Sequence, residues 1–305
     1  MTAGPQSLRS ITGAIYGEGT HGFQVDWPLV ARELEALGVS DLEGSYSNFA
    51  AEWLDSIARA WGGDYRVYQS PNFFVVTALG EQNAGNFARL GERVYKLMTS
   101  QLPTIAAKSG PGRFVCLVAG NQDQYYDYLS NFYDDGEFGA SGGVFLTASG
   151  YSHFVLNQAE AWHQEYALVH ELAHALLQHR GLPLWLEEGL TQLMEHEVLG
   201  GEGFHINREE AERHRLFWAE HGLSGFWDGS SFLRADDGME LSYMLSQVLI
   251  RNLLSRDRKQ FLEFAAQASR LDCGESASQS VYGVSLHEWI AQFLGPGHWR
   301  LRVRR

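Results

Sequence analysis

The spacing of apolar and polar positions divides the chain into predicted helices and strands. Apolar residues recurring every three or four positions predict helices over residues 27–37, 42–61, 81–102 and 122–132. Short runs rich in β-branched and aromatic residues predict strands over residues 72–77, 113–119, 142–146 and 151–156. A Ser-Gly turn joins the last two strands, and helical patterns then continue as far as Phe293.

Two of the predicted helices form a hairpin in the middle of the chain. Residues 160–178 contain no Gly and no Pro and carry a dense helical stripe. Gly181 follows them where a left-handed residue ends a helix, and Pro183 suits the start of the next helix. That helix is predicted over residues 184–199, although Gly189 weakens it by about 1 kcal/mol relative to Ala. The short turn makes the two helices antiparallel.

This order of elements predicts an α+β fold. Residues 1–63 form an N-terminal segment followed by helices, and residues 64–196 combine a mixed sheet of about four strands with the helix hairpin. Residues 197–305 form a mainly helical part that completes a cleft, and the basic residues after position 299 are a solvated end. We find no internal repeat and no low-complexity tract in the sequence.

The first helix of the hairpin carries His-Glu-Leu-Ala-His at residues 170–174. On a helix, His170 and His174 lie one turn apart and project from the same face, so both imidazoles can bind one Zn²⁺. Zn–N distances are about 2.0–2.1 Å in such tetrahedral sites. Glu171 is rotated by about 100° from His170, so it can lie beside the metal as a general base without binding it.

The second helix supplies a candidate for the third ligand. His174 lies seven residues before Gly181, and Glu188 lies seven residues after it. Positions equidistant from a tight turn lie at similar heights on facing helices, whose axes are about 8–10 Å apart. Glu187 has nearly the same height but points about 100° away. We therefore predict Glu188 as the third zinc ligand, with Glu187 as the fallback.

Length, charge and cysteine content limit the classes of function. With 305 residues and 45% hydrophobic residues, the chain is expected to fold into one or two globular domains. The net charge, 23 minus 37 or −14, argues against a nucleic-acid partner and against an anionic membrane surface. No signal peptide or 18-residue apolar run is visible, so we expect no membrane association and a cytoplasmic protein. Cys116 and Cys273 lack ligand spacing, and Cys116 is predicted to be buried.

Beyond its ligand pattern, the hairpin resembles a known group of enzymes. His-Glu-Leu-Ala-His followed by Pro-Leu-Trp-Leu-Glu-Glu-Gly-Leu at residues 183–190 is similar to the gluzincin zinc peptidases, in which a Glu completes the metal site. Residues 72–254 also resemble, in layout, a family of uncharacterised bacterial putative peptidases. The metzincin pattern does not fit, because Leu177 and Arg180 occupy its Gly and His positions.

The resemblance implies three further features of the site. Tyr243, in a Tyr-x-x-Ser segment, matches the oxyanion donor of the family, and the backup donors are His205, His214 and His221. Similar enzymes often have an acidic residue where this chain has Gln192, and Glu195 one turn later is a substitute. The predicted strand after Gly142 and Gly143 would pair with substrate at a sheet edge, although an ordinary turn before a strand explains these glycines equally well.

The expected function is zinc-dependent hydrolysis of peptide bonds, with Glu171 as base, Tyr243 as oxyanion donor and a peptide or protein as substrate. Endopeptidase action is favoured over aminopeptidase action, because no acidic motif for an α-amine precedes the helix. Two alternatives are a zinc-binding module without turnover and a metal-free structural hairpin. The remaining histidines, which include the three backup donors, are expected to lie on the surface or in the hydrogen-bonded core: His153, His163, His196, His205, His214 and His221.

Overall fold

The computed structural model describes residues 14–17, 24–133, 142–148, 151–157, 161–200, 204–297 and 299. The Ser-Gly turn predicted at residues 149–150 and the basic C-terminal tail lie outside these residues. The chain divides into two compact units, one within residues 1–96 and 108–175 and the other within residues 97–107 and 176–305. Twelve α-helices and two sheets in the described part of the chain confirm the α+β class.

The first unit is built around a five-stranded mixed sheet. Its strands are β3 (Arg66–Gln69), β4 (Phe73–Thr77), β5 (Phe114–Val118), β6 (Gly143–Ala148) and β7 (Tyr151–Leu156), and their order is β3-β4-β5-β7-β6. β4, β5 and β7 are parallel, whereas β3 and β6 run antiparallel to their neighbours. Since β3 and β6 lie at the ends of this order, both are edge strands. A separate pair consists of β1 (Ile15–Tyr16) and β2 (Gln24–Val25).

Strand β3 corrects the sequence-based prediction of about four strands. It has four residues, and none of its side chains is fully buried. An edge strand of this kind lacks the apolar run that marks a central strand, so hydrophobicity alone did not reveal it. The central strands β4 and β5, in which every residue is buried, were predicted to within one residue at each end.

Helices cover both faces of this sheet. The helices of the first unit are α1 (Trp27–Ala36), α2 (Leu42–Trp61), α3 (Glu81–Gln101), α4 (Gln122–Leu129) and α5 (Ala161–Leu177). Alternate residues such as Val76 and Leu117 belong to one core with α2 and α4. On the other face, Gly91 of α3 lies so close to Phe73 that an added Cβ would be 2.9 Å from its ring. Burial on both faces explains the continuous apolar runs of β4 and β5.

The second unit is helical. Its helices are α6 (Leu184–Leu199), α7 (Arg208–His221), α8 (Ser224–Asp228), α9 (Gly238–Arg256), α10 (Arg258–Gln267), α11 (Glu275–Tyr282) and α12 (Leu286–Leu294). Large aromatic side chains fill its core, among them Trp185, Trp218, Phe226, Phe264 and Trp289. Of the helices in the described ranges, none has the length and hydrophobicity to span a bilayer.

The predicted helix bounds agree with the structure where the ends carry strong signals. The helices predicted over residues 42–61 and 184–199 have these bounds in the structure. Helix α4 ends at Leu129 rather than at Phe132. The reason is that the chain tightens after Leu129, where the amide of Phe132 donates to the carbonyl of Leu129, three residues back. Cys116 is buried in β5 as predicted, and burial raises the pKa of its thiol to about 12.

A buried histidine lies in the core of the first unit. His153 of β7 is 2% exposed, and its Nε2 shares a hydrogen bond of 2.9 Å with Tyr128 Oη. The rings of Trp53 and Phe132 also contact the imidazole, at centroid distances of 5.4 and 5.5 Å. Burial lowers the pKa of His153 from 6.5 to about 3, because the charged form is poorly solvated there.

This pKa shift predicts that the protein loses stability in mild acid. Between pH 6.5 and about 3 the unfolded imidazole binds a proton that the folded one does not, so stability falls as pH falls through this window. One such group contributes a slope of about 1.4 kcal/mol per pH unit. We expect His153→Gln to reduce the slope measured by urea unfolding between pH 6.5 and 4.5, whereas substitution of the exposed His205 leaves it unchanged. An unaltered slope in His153→Gln would contradict the assignment.

Candidate metal centre

The hairpin that carries the candidate ligands has the predicted turn. Helix α5 ends at Leu177, a 3₁₀ turn covers Gln178–Arg180, and α6 begins at Leu184. Gly181 adopts φ 59° and ψ 44°, so the predicted left-handed conformation at this position is confirmed. Pro183 precedes α6 as its N-cap rather than forming its first residue. The left-handed glycine lets the chain reverse between the two helices.

Three side chains bring possible metal-binding atoms together. His170, His174 and Glu188 each offer one ligand atom, and these atoms all lie within 4.8 Å of one another. The Nε2 atoms of the two imidazoles are 3.1 Å apart. Two nitrogens on a tetrahedral zinc ion, each about 2.0–2.1 Å from it, are separated by about 3.3 Å. Two imidazoles and one carboxylate are also the donor set of many catalytic zinc sites, so these residues fit a zinc ion.

The structure places the two adjacent glutamates of α6 in different surroundings. The carboxylate of Glu187, the fallback ligand, accepts a hydrogen bond of 3.0 Å from Arg270 Nη2. Glu188 is 7% exposed and belongs to the group with the two imidazoles. Among the described residues, no group of possible metal ligands includes Glu187. The geometry thus favours the ligand that the turn symmetry predicted.

The candidate base, Glu171, interacts electrostatically with a residue that the sequence did not suggest. Tyr133 follows α4, and its pKa is raised first by burial and then by the negative charge of Glu171. The carboxylate therefore lies within electrostatic range of the phenol. A single Tyr at the end of a helix carries no sequence pattern that would have linked it to residue 171.

Helix α9, which carries Tyr243, packs on α6 in the second unit. Gln247 Nε2 donates a hydrogen bond to Gln192 Oε1, which joins α9 to α6. The two helices run in the same direction, because Gly189 lies against Ile250 while Leu193, one turn later, shares a pocket with Leu254.

The Tyr243 side chain is half-buried and contacts Phe232. The two ring centroids are 5.2 Å apart, with the rings nearly perpendicular. Asp236, which precedes α9, accepts a hydrogen bond of 2.9 Å from the amide of Gly238, whereas the N-cap residue Asp237 makes no side-chain capping hydrogen bond. The assignment of Tyr243 as oxyanion donor stays a prediction.

Gln192 has a partner that the sequence did not reveal. Its carbonyl oxygen accepts the hydrogen bond from Gln247, so this oxygen is engaged across the helix interface. Glu195, the suggested substitute for an acidic residue at position 192, is 5% exposed on the same helix. The position of Gln192 is therefore explained by packing of α6 on α9, a contact between residues far apart in sequence.

Two of the remaining histidines are hydrogen-bonded core residues, as expected. His153 is described above, and His214 Nδ1 accepts a hydrogen bond of 3.2 Å from Trp218 Nε1 in the second unit. Burial, helped by the charge of Arg213, lowers the pKa of His214 to about 4. His221, also named as a backup donor, is exposed and contacts the carbonyl of Phe217 at 3.1 Å.

Comparisons with known proteins do not assign the chain to a family. Neither the protein-family models nor the curated protein sequences compared with the chain give a match.

The different surroundings of Glu187 and Glu188 lead to a matched pair of variants. We expect Glu188→Gln to weaken zinc binding by more than about 100-fold, since loss of a ligand should exceed the 10–100-fold effect of losing a supporting contact. Glu187→Gln should keep one zinc per chain, because the new amide oxygen still accepts from Arg270. Elemental analysis after dialysis and a chelator-competition titration measure both. The reverse result would make Glu187 the ligand.

Close packing at Gly189 leads to a second prediction. A Cβ at this position would lie 2.6 Å from Ile250 Cγ1 and 3.0 Å from the carbonyl oxygen of Ser246. Helix propensity favours Ala over Gly by about 1 kcal/mol, but overpacking costs about 1–3 kcal/mol. We therefore expect Gly189→Ala to lower the free energy of unfolding in urea. Gly85→Ala in α3 is the control, since its Cβ would meet only the end of the flexible Arg89 side chain.

Proposed function

We propose that the protein is a zinc-dependent peptidase with His170, His174 and Glu188 as metal ligands. The observation that carries the proposal is the convergence of their three ligand atoms within 4.8 Å across the turn at Gly181. If the five-residue motif had occurred by chance, there would be no reason for a carboxylate on the next helix to lie close to the two imidazoles. The likeness to gluzincin peptidases, with Glu188 at the ligand position, supports the same function.

The architecture of the first unit is compatible with a zincin-like fold. Such a fold combines a mixed sheet, an antiparallel edge strand and a helix that carries the metal-binding motif. Here the sheet has β6 as an antiparallel edge, and α5 packs close to it, since a Cβ on Gly143 would lie 3.2 Å from Ala167 Cβ. We infer that the sheet and α5 form the framework of a zincin-like catalytic unit.

The residues of the site can each perform one step of peptide hydrolysis. A bound zinc ion would polarise both a water molecule and the scissile carbonyl. Glu171 takes a proton from the attacking water and transfers it to the nitrogen of the leaving amine. Tyr243 donates a hydrogen bond to the oxygen of the former carbonyl as its negative charge develops, a contribution of about 3–4 kcal/mol in comparable sites.

The outer edge of β6, which pairs with no other strand among the described residues, is the proposed binding site for the substrate backbone. An extended peptide can pair with such an edge whatever its sequence, because the hydrogen bonds involve only main-chain groups. The glycine at the start of β6 does not itself support this role. A Cβ on Gly143 would lie 2.7 Å from Leu156 Cδ2, so internal packing already accounts for the small residue. We propose that a peptide bound along this edge is cleaved by endopeptidase action.

A zinc-binding module without turnover is the second candidate. The observation that favours it is Gln192, which stands where similar enzymes have an acidic residue and whose oxygen is engaged by Gln247. An amide supports the basicity of a metal-bound imidazole less than a carboxylate does. This candidate predicts one zinc per chain together with no hydrolysis of any peptide.

Replacement of the base separates these functions. We expect Glu171→Gln to retain zinc while hydrolysis of an unfolded protein and of a fluorogenic peptide library falls at least about 100-fold, because general base catalysis is lost. Glu165→Gln, the same change on the same helix, should leave turnover intact. Unchanged turnover in Glu171→Gln would refute the mechanism. Zinc without turnover in the unaltered protein would support the binding module, and a protein without zinc would support a structural hairpin.

A further inference from the structure

Helix α6 begins without the side-chain cap that usually fixes the start of a helix. Its N-cap residue is Pro183, which makes no side-chain capping hydrogen bond. Ordinary N-cap residues contribute about 0.5–2 kcal/mol and define the direction in which a helix starts. The candidate ligand Glu188 lies only five residues after this uncapped end, so the orientation of its side chain depends on other contacts.

Arg270 makes two such contacts with one guanidinium group. Its Nε donates a hydrogen bond of 2.6 Å to the carbonyl of Leu182, and its Nη2 donates one of 3.0 Å to the carboxylate of Glu187. Leu182 precedes α6 and Glu187 lies in its first turn. The side chain of Glu187 is 8% exposed, whereas that of Arg270 is 60% exposed, so an arginine at the surface reaches a nearly buried carboxylate.

Cys273 holds the same turn of α6 at a second point. Its carbonyl accepts a hydrogen bond of 3.0 Å from Trp185 Nε1, and its own Sγ donates to the carbonyl of Trp227 at 3.2 Å. Cys273 has φ 57°, and it is the one non-glycine residue with positive φ in the described part of the chain. A left-handed residue with a side chain is strained, and this strain is maintained where the surrounding contacts define the backbone.

We propose that Arg270 is a positioning residue for the metal ligand Glu188, a role that rests on the proposed function. Glu188 directly follows Glu187, so fixing the backbone at Leu182 and the side chain of Glu187 fixes the direction in which Glu188 leaves the helix. The guanidinium group of Arg270 also binds the carboxylate of Glu187, the one other carboxylate in this turn. Glu187 is thereby directed away from the role of competing ligand.

The test compares zinc affinity in three variants. In Arg270→Gln we expect the zinc dissociation constant to rise about 10–100-fold, the range found when a contact that supports a ligand is removed. Arg270→Lys should restore part of the affinity, because it keeps a cation for Glu187. Arg258→Gln is the control, since it removes a similar arginine–carbonyl hydrogen bond, to Gln101 at 3.0 Å, elsewhere in the second unit. Chelator competition gives the affinities.

Further measurements separate positioning from a general effect on folding. The melting temperature of the zinc-free protein should be similar in Arg270→Gln and Arg258→Gln, whereas only the former should lose affinity. The effects of Arg270→Gln and Glu187→Ala on zinc binding should be non-additive, because each variant removes the same contact. If Arg270→Gln fails to fold, Arg270→Lys is combined with Glu187→Ala instead.

Each result bears on a different proposal. Zinc affinity of Arg270→Gln equal to that of the unaltered protein, or additive effects in the double variant, would overturn the positioning role and leave the peptidase proposal standing. Absence of zinc binding in the unaltered protein would overturn the proposed function itself.

Discussion

The candidate metal centre depends on one bend in the backbone. Helical periodicity alone brings His170 and His174 to the same face of α5, but Glu188 reaches them only because the chain reverses after a 3₁₀ turn. Gly181 makes the reversal possible with its positive φ, a conformation that costs a residue with a side chain about 1–2 kcal/mol. Without this bend, a helix would continue away from the imidazoles.

Helix α6 carries buried polar residues whose positions depend on contacts with other parts of the chain. Glu187, Glu188, Gln192 and Glu195 are all buried, although buried carboxylates and amides are unfavourable unless they have partners. Glu187 is bound by Arg270, and Gln192 by Gln247. Gly189 allows α9 to lie close enough for these contacts, since any larger residue would meet Ile250. A helix that is buried on most sides thus carries polar groups whose positions are set by other parts of the chain.

Prediction from sequence succeeded where local signals are strong. The bounds of α6, the left-handed Gly181 and the buried runs of β4 and β5 all follow from residue type and spacing over a few positions. It failed for β3, because a short edge strand has no continuous apolar run. Tyr133 and Arg270 were also missed, since neither belongs to a pattern of residues near it in the sequence.

The sequence by itself determined which residues can bind a metal: the i, i+4 spacing places two imidazoles on one helical face, and glycine and proline mark the turn. Only the tertiary structure decided which of two adjacent glutamates joins them. Glu187 and Glu188 differ by about 100° around the helix axis, and the contact that distinguishes them comes from Arg270, 83 residues further along the chain. Local periodicity fixes the direction in which each side chain leaves a helix, but packing between distant segments determines which residues that side chain contacts.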